Sequence, residues 1–77
     1  MGDPAVVWHS TRCMPCERVK EYLAQKNVAF VTRNISEDDA ARDAFIAKGF
    51  MSVPVTELNG QTIIGYDVKQ LDAAIRA

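Results

Sequence analysis

The only two cysteines of the chain, Cys13 and Cys16, stand two residues apart in the run Cys13-Met14-Pro15-Cys16. One turn of helix brings positions i and i+3 side by side, within the Cα separation that a disulfide requires. Reversible opening and closing of that bond is the chemistry this spacing suits.

The flanking residues determine what kind of cysteines these are. Val6, Val7 and Trp8 form a short β-rich apolar run, and from Val19 onward the apolar residues fall at helical spacing. The motif therefore sits where a strand hands over to a helix. Cys13 reads as the N-cap, with Met14, Pro15 and Cys16 as the first three helical positions. Pro15 has no N–H to give, so the donor to a Cys13 thiolate is the N–H of Cys16. The helix terminus adds about half a unit of positive charge beside that sulfur. Arg12 and Arg18 add more, and Glu17 opposes them. Such a setting lowers the pKa of a thiol and makes an exposed first cysteine a nucleophile. Cys16, facing back into the helix, is left to resolve the mixed disulfide, and Pro15 tunes the pair.

Other readings compete. A structural staple is weak, because so short a loop removes only about 2 kcal/mol of unfolded-state entropy. A zinc site wants four ligands, and two thiols with His9 would need a second chain to complete it. Two inert buried thiols fit poorly with the strand-to-helix position and the flanking arginines. His9, four residues before Cys13, invites a Cys-His nucleophile, against a partly buried strand-end histidine where the helix terminus already supplies activation. Trp8 reads as core rather than as a site contact.

Seventy-seven residues suffice for a single domain spanning 1–77, which at this size buries about 60% of its unfolded surface. Hydrophobic residues make up 48% and charged residues 25%, ordinary for a soluble globular protein. No stretch approaches the roughly 20 apolar residues of a membrane span, and Asp3 and Pro4 stand where a signal peptide would be basic. A cytoplasmic protein is expected, in a reducing compartment where a Cys-x-x-Cys is more often catalytic or metal-binding than structural. A net charge of −1 makes no electrostatic case for nucleic acid. Neither a membrane partner nor a metal is expected, and the chain is read as a monomer.

The elements that must hold the cysteines follow in order. Residues 4–9 are the first strand, and the helix after the motif runs to about Lys26, with Val19, Tyr22 and Leu23 buried and Asn27 as a left-handed stop. Val28 to Arg33 is the second strand, parallel to the first through a right-handed crossover. Ser36 with Asp39 three residues on predicts a helix start, supported by Glu37 and Asp38. That helix buries Ala41, Ala44 and Phe45 and ends at Gly49-Phe50 in a Schellman stop. Val53 to Leu58 is a third strand, Asn59-Gly60 a hairpin turn, and Gln61 to Ile64 the returning strand. Asp67 with Gln70 opens a last helix whose Val68, Leu71 and Ile75 face the sheet. The order is βαβαββα, an α/β protein.

That order, with Cys13-Met14-Pro15-Cys16 after the first strand and Ser52-Val53-Pro54 opening the third, resembles the glutaredoxin family of the thioredoxin-like fold over essentially the whole chain. The resemblance implies a four-stranded mixed sheet in the order 2-1-3-4 flanked by three helices, with Pro54 as a cis-proline beside the disulfide. A substrate chain would pair with the exposed backbone of Val53 like an added strand. Arg12, Met14, Val53, Pro54, Gly65, Tyr66 and Asp67 are the candidate substrate contacts. The implied activity is thiol-disulfide oxidoreduction of protein or mixed disulfides, in the service of cell redox balance. No cofactor need be bound, and glutathione or an NADPH-dependent thioredoxin reductase would supply the electrons.

Departures from the family pattern point to a subgroup. Glutaredoxins usually carry Pro-Tyr between the cysteines, a basic residue three positions before the first, and a Gly-Gly-x-x-Asp stretch. Here the pair is Met14-Pro15, Ser10 takes the basic position, and Ile64-Gly65-Tyr66-Asp67-Val68 keeps only Gly65 and Asp67. The segment Gly49 to Val55 and the lost double glycine are similar to the glutaredoxin-like redoxins that deliver electrons to ribonucleotide reductase and are reduced by thioredoxin reductase. Their Trp-Ser-Gly-Phe-Arg-Pro signature is echoed only by Gly65-Tyr66. A competing reading from another class is an iron–sulfur cluster-binding module formed by two chains.

Overall fold

The computed structural model describes residues 3–77. Its elements are β1 (Ala5–His9), α1 (Met14–Gln25), β2 (Phe30–Asn34), α2 (Asp39–Ala47), β3 (Val55–Leu58), β4 (Gln61–Ile64) and α3 (Val68–Arg76). The four strands form one sheet in the order β2-β1-β3-β4. β1 pairs parallel with β2, from Ala5 opposite Phe30 to His9 opposite Asn34, and antiparallel with β3, where Trp8 lies opposite Val55. β4 returns antiparallel beside β3 through the turn at Asn59 and Gly60, both at positive φ (50° and 77°) as a two-residue turn of this kind requires.

Alternation along the central strand makes two cores, since successive side chains point to opposite faces. Ala5 and Val7 join Val19, Leu23, Leu58, Ile63, Leu71 and Ala74 in the layer beneath α1 and α3. Trp8 joins Ala41, Phe45 and Val55 in the layer beneath α2, with Phe50 and Val53 packed against it. Trp8 contacts Phe45 and Phe50 at centroid distances of 6.0 and 6.1 Å, its Nε1–H donates to Glu57 Oε1 at 2.8 Å, and the Arg33 guanidinium lies 4.9 Å above the ring. The indole is thus core and anchor of the second layer together, with its one polar atom satisfied.

Several boundaries differ from those read in the sequence, and each shift traces to a competing hydrogen bond. β2 begins at Phe30, because the Val28 N–H turns back to Leu23 O (2.9 Å) and the Asn27 N–H to Ala24 O (3.1 Å), with Asn27 at φ 59°. This is a Schellman stop, and it holds Val28 out of the ladder. α2 is capped by Asp38, whose Oδ1 accepts from the Ala41 N–H at 3.1 Å, and not by Ser36. Asn34 Oδ1 accepts from the Ser36 and Glu37 N–H groups at 2.8 and 3.2 Å, so a side-chain turn occupies the residues where the helix was expected to begin. β3 begins at Val55, since Pro54 has no N–H for a ladder. In α3 Ala74 is buried beside Leu71, whereas Val68 is 41% exposed at the first helical position. The stop after α2 is as expected: Gly49, at φ 81°, donates to Ile46 O and Phe50 to Phe45 O.

Asp38→Ala removes the cap of α2 and is expected to lower stability by about 1 kcal/mol in urea unfolding. An equal loss in Ser36→Ala with none in Asp38→Ala would put the cap on Ser36.

Candidate active site

Four residues carry the chain from the end of β1 into α1, and the last but one of them, Arg12, has φ 62°. A side chain with a Cβ is unfavourable there by about 1–2 kcal/mol, so the turn needs support from outside. It comes from the segment between β2 and α2. The Thr11 N–H donates to Ser36 Oγ at 3.2 Å and Thr11 Oγ1 to Glu37 Oε2 at 3.0 Å. The Ile35 N–H, in turn, donates to His9 O at 2.9 Å. None of these ties was visible in the sequence, where Ser36 carried only a helix-start signal.

Beyond the turn Cys13 is extended (φ −111°, ψ 104°) and is the N-cap of α1: its Sγ accepts from the Cys16 N–H at 3.2 Å, and its carbonyl accepts from the Glu17 N–H. Cys13 and Cys16 are joined in a disulfide with their Cα atoms 5.2 Å apart. Cys13 is partly exposed and Cys16 wholly buried. Beside them Arg12 and Pro15 are exposed, as is Met14 at 66%.

Continuing the antiparallel pairing of β1 and β3 one step past Trp8 and Val55 brings Pro54, then Val53, to the carboxyl end of β1, the end from which the cysteines follow. The Val53–Pro54 peptide is cis. Among the described residues, no backbone hydrogen bond outside the strands and helices involves Val53. Pro54 O accepts from the Gly65 N–H at 2.8 Å, with Gly65 at φ 80°, so the β4–α3 turn is tied to the same segment. Tyr66 follows, half exposed. Asp67 caps α3, accepting from the Gln70 N–H at 3.1 Å. The candidate contacts thus fall at one end of the sheet, with Asp67 holding a helix as well.

Two titratable neighbours shape the field there. Burial, with Lys20 adding to it and Glu17 and Glu37 opposing, holds the His9 imidazole below its ordinary pKa. The shift favours the neutral imidazole, so His9 adds little positive charge beside the sulfurs at neutral pH. Glu17 is held below its usual range by its hydrogen bond with Lys20, at 2.7 Å, which offsets its charge at the helix start. What remains to favour a thiolate is the helix terminus and the arginines. Among the described residues no three histidine, cysteine or acidic side chains gather where they could hold a metal ion.

The glutaredoxin family model matches residues 5–63. Among relatives, an N-acetyl-S-hydroxy-L-cysteine reductase of Bacillus subtilis is 38% identical over 77 residues, covering 91% of this chain and 81% of that protein. A glutaredoxin-like protein NrdH of Lactococcus lactis is 29% identical over 65 residues, covering 84% and 90%. A crystal structure of a mutant of the thioredoxin-like protein BC3987 superposes with a TM-score of 0.87 at 26% identity, covering 97% of each chain.

In the reduced protein, Arg12→Glu exchanges a favourable charge for a repulsive one and is expected to slow alkylation of Cys13 at neutral pH about two- to fivefold at low salt. The effect shrinks in 1 M salt, where surface charges are screened. Equal alkylation rates at low salt would remove Arg12 from the activation of Cys13.

Proposed function

Because this chain belongs to the glutaredoxin family, we propose that it is a thiol-disulfide oxidoreductase acting on protein disulfides, with Cys13 as nucleophile and Cys16 as resolving thiol. The observation that carries this reading is the asymmetry of the pair. Cys13 caps α1 and is partly exposed, while Cys16 lies one turn further on with no exposed surface. The Cys13 thiolate attacks one sulfur of a substrate disulfide, and the other leaves as a thiolate. Cys16 then attacks the Cys13 sulfur, the substrate's second thiolate leaves, and the Cys13–Cys16 bond closes with two electrons transferred. Solvent protons complete the product thiols.

The choice of substrate rests on what flanks Val53. A substrate strand can pair with its backbone, whereas the charged ends of glutathione would meet Ser10, Ile64 (55% exposed) and Val68. Charge-assisted hydrogen bonds are worth roughly 1.5–3 kcal/mol each, so lacking two weakens glutathione about a hundredfold. Exposed Met14 and Tyr66 offer apolar contact to a protein instead. Thioredoxin reductase is accordingly the preferred reductant in this reading, and the resemblance of the Gly49 to Val55 segment to the redoxins that serve ribonucleotide reductase supports a role as electron donor to that enzyme, with a glutaredoxin-like protein NrdH among the relatives. The Bacillus relative favours a second reading, reduction of a small S-hydroxy thiol. The same dithiol serves it: Cys13 displaces hydroxide from the S-hydroxy sulfur, and Cys16 then releases the thiol.

Two measurements test the proposal. Cys13→Ser is expected to abolish insulin reduction, and Cys16→Ser to accumulate mixed disulfides with substrate; labelling of Cys16 ahead of Cys13 by an alkylating agent at neutral pH would reverse the assigned roles. When oxidised protein is incubated with NADPH and either thioredoxin reductase or glutathione plus glutathione reductase, the first mixture is expected to consume NADPH faster. Turnover with low-millimolar glutathione and none with thioredoxin reductase would make this an ordinary glutathione-dependent member of the family.

A further inference from the structure

Thr56 is completely buried, and its hydroxyl has no hydrogen-bond partner among the described residues. An enclosed hydroxyl without a partner costs about 1–3 kcal/mol, and valine would fill the same space without that penalty. A buried polar atom of this kind in a small core therefore calls for an explanation. Across the sheet its neighbours are Val7 on β1 and Ile63 on β4, both in the core layer beneath α1 and α3. Thr56 is the second residue of β3 and lies two residues after Pro54, which precedes the strand on the side of the carboxyl end of β1. Cys16 is the first buried residue of α1, one turn before Val19, and is as fully shielded as Thr56. Cys16 shares the buried face of α1 with Val19 and Leu23, so an unpaired donor on β3 and a buried sulfur on α1 face the same core layer.

We infer that Thr56 is a positioning residue for Cys16, its hydroxyl donating a hydrogen bond to the Cys16 sulfur once the disulfide has opened. This rests on the dithiol cycle proposed above. In the disulfide the Cys16 sulfur is bonded to Cys13 and uncharged, a weak acceptor. Reduction adds two electrons and two protons, breaks that bond and frees the sulfur to turn within its layer. In the resolving step Cys16 loses its proton to solvent, attacks the Cys13 sulfur and expels the substrate thiolate. Burial penalises charge on Cys16 at that moment, and an O–H aimed at the sulfur relieves the penalty. The hydroxyl is thus unpaired in the oxidised protein and paired in the reduced one, which biases the pair towards the dithiol.

Thr56→Val keeps the shape and removes the donor, while Thr56→Ser keeps the donor. Each protein is equilibrated in buffers of dithiothreitol and its cyclic disulfide, and the oxidised fraction is read from the mass added by alkylation. Failure of the unaltered protein to cycle would refute the dithiol function itself. With that cycling in hand, Thr56→Val is expected to shift the equilibrium about five- to tenfold towards the disulfide, ~20–30 mV more negative. Thr56→Ser should stay within about twofold of the unaltered protein, and oxidised Thr56→Val should resist urea at least as well as its parent. An unshifted equilibrium in Thr56→Val, an equal shift in both variants, or a less stable oxidised Thr56→Val would each overturn the inference.

Discussion

The hydrogen bond from the Cys16 N–H to the Cys13 sulfur ties the chemistry of this protein to its folding. A helix start leaves backbone donors without partners, and here a cysteine sulfur takes one of them where a hydroxyl or carboxylate would be usual. On the proposed function, the cap that completes α1 is therefore also the atom that reacts. Pro15 in the first turn contributes by having no N–H, so one donor fewer needs a partner. For the sulfur to reach this position the chain must turn sharply after β1. Arg12 adopts its left-handed conformation under the hold of Thr11 on Ser36 and Glu37.

The rest of the fold follows from giving that junction a rigid base. β1 is central, hydrogen-bonded on both sides, and its two faces are buried under different helices. With so few residues, no single layer could bury enough apolar surface, and the two layers share the strand that leads to Cys13. Trp8 supplies much of the second layer, and its hydrogen bond to Glu57 joins β1 to β3 at side-chain level as well as through the ladder. The segment before β3 is thereby kept beside the end of β1, which is where the proposed substrate strand would pair.

Specificity in such a small redoxin depends on what surrounds a common reactive core. The helix terminus activates a thiol whatever the partner, so discrimination falls to neighbouring residues. On the proposed function, an uncharged Ser10 and apolar Ile64 and Val68 suit a partner that brings a backbone strand and apolar side chains better than one held by its charged ends. Asp67, whose carboxylate already caps α3, is less free to bind a ligand than the family pattern alone would suggest.

Local signals carried most of the fold. The order of elements, the cap at Cys13, the stops at Asn27 and Gly49, the turn at Asn59-Gly60 and the cap at Asp67 all depend on residues within five positions of one another, so their spacing is legible in the chain. The sheet order and the cis peptide before Pro54 came from resemblance to a family, since neither has a local signature. What the sequence did not reveal are bonds between distant segments. Ser36 looked like a cap because Asp39 follows it three residues later, yet its hydroxyl accepts from Thr11, twenty-five positions away, while Asn34 takes its N–H. The left-handed Arg12 has no glycine or asparagine to announce it and exists because that contact holds it. Thr56 reads as an ordinary strand residue until the fold places it between Val7 and Ile63 and buries its hydroxyl without a partner. In each case the outcome depends on which distant segments the packing brings together, and that has no local signature in the chain.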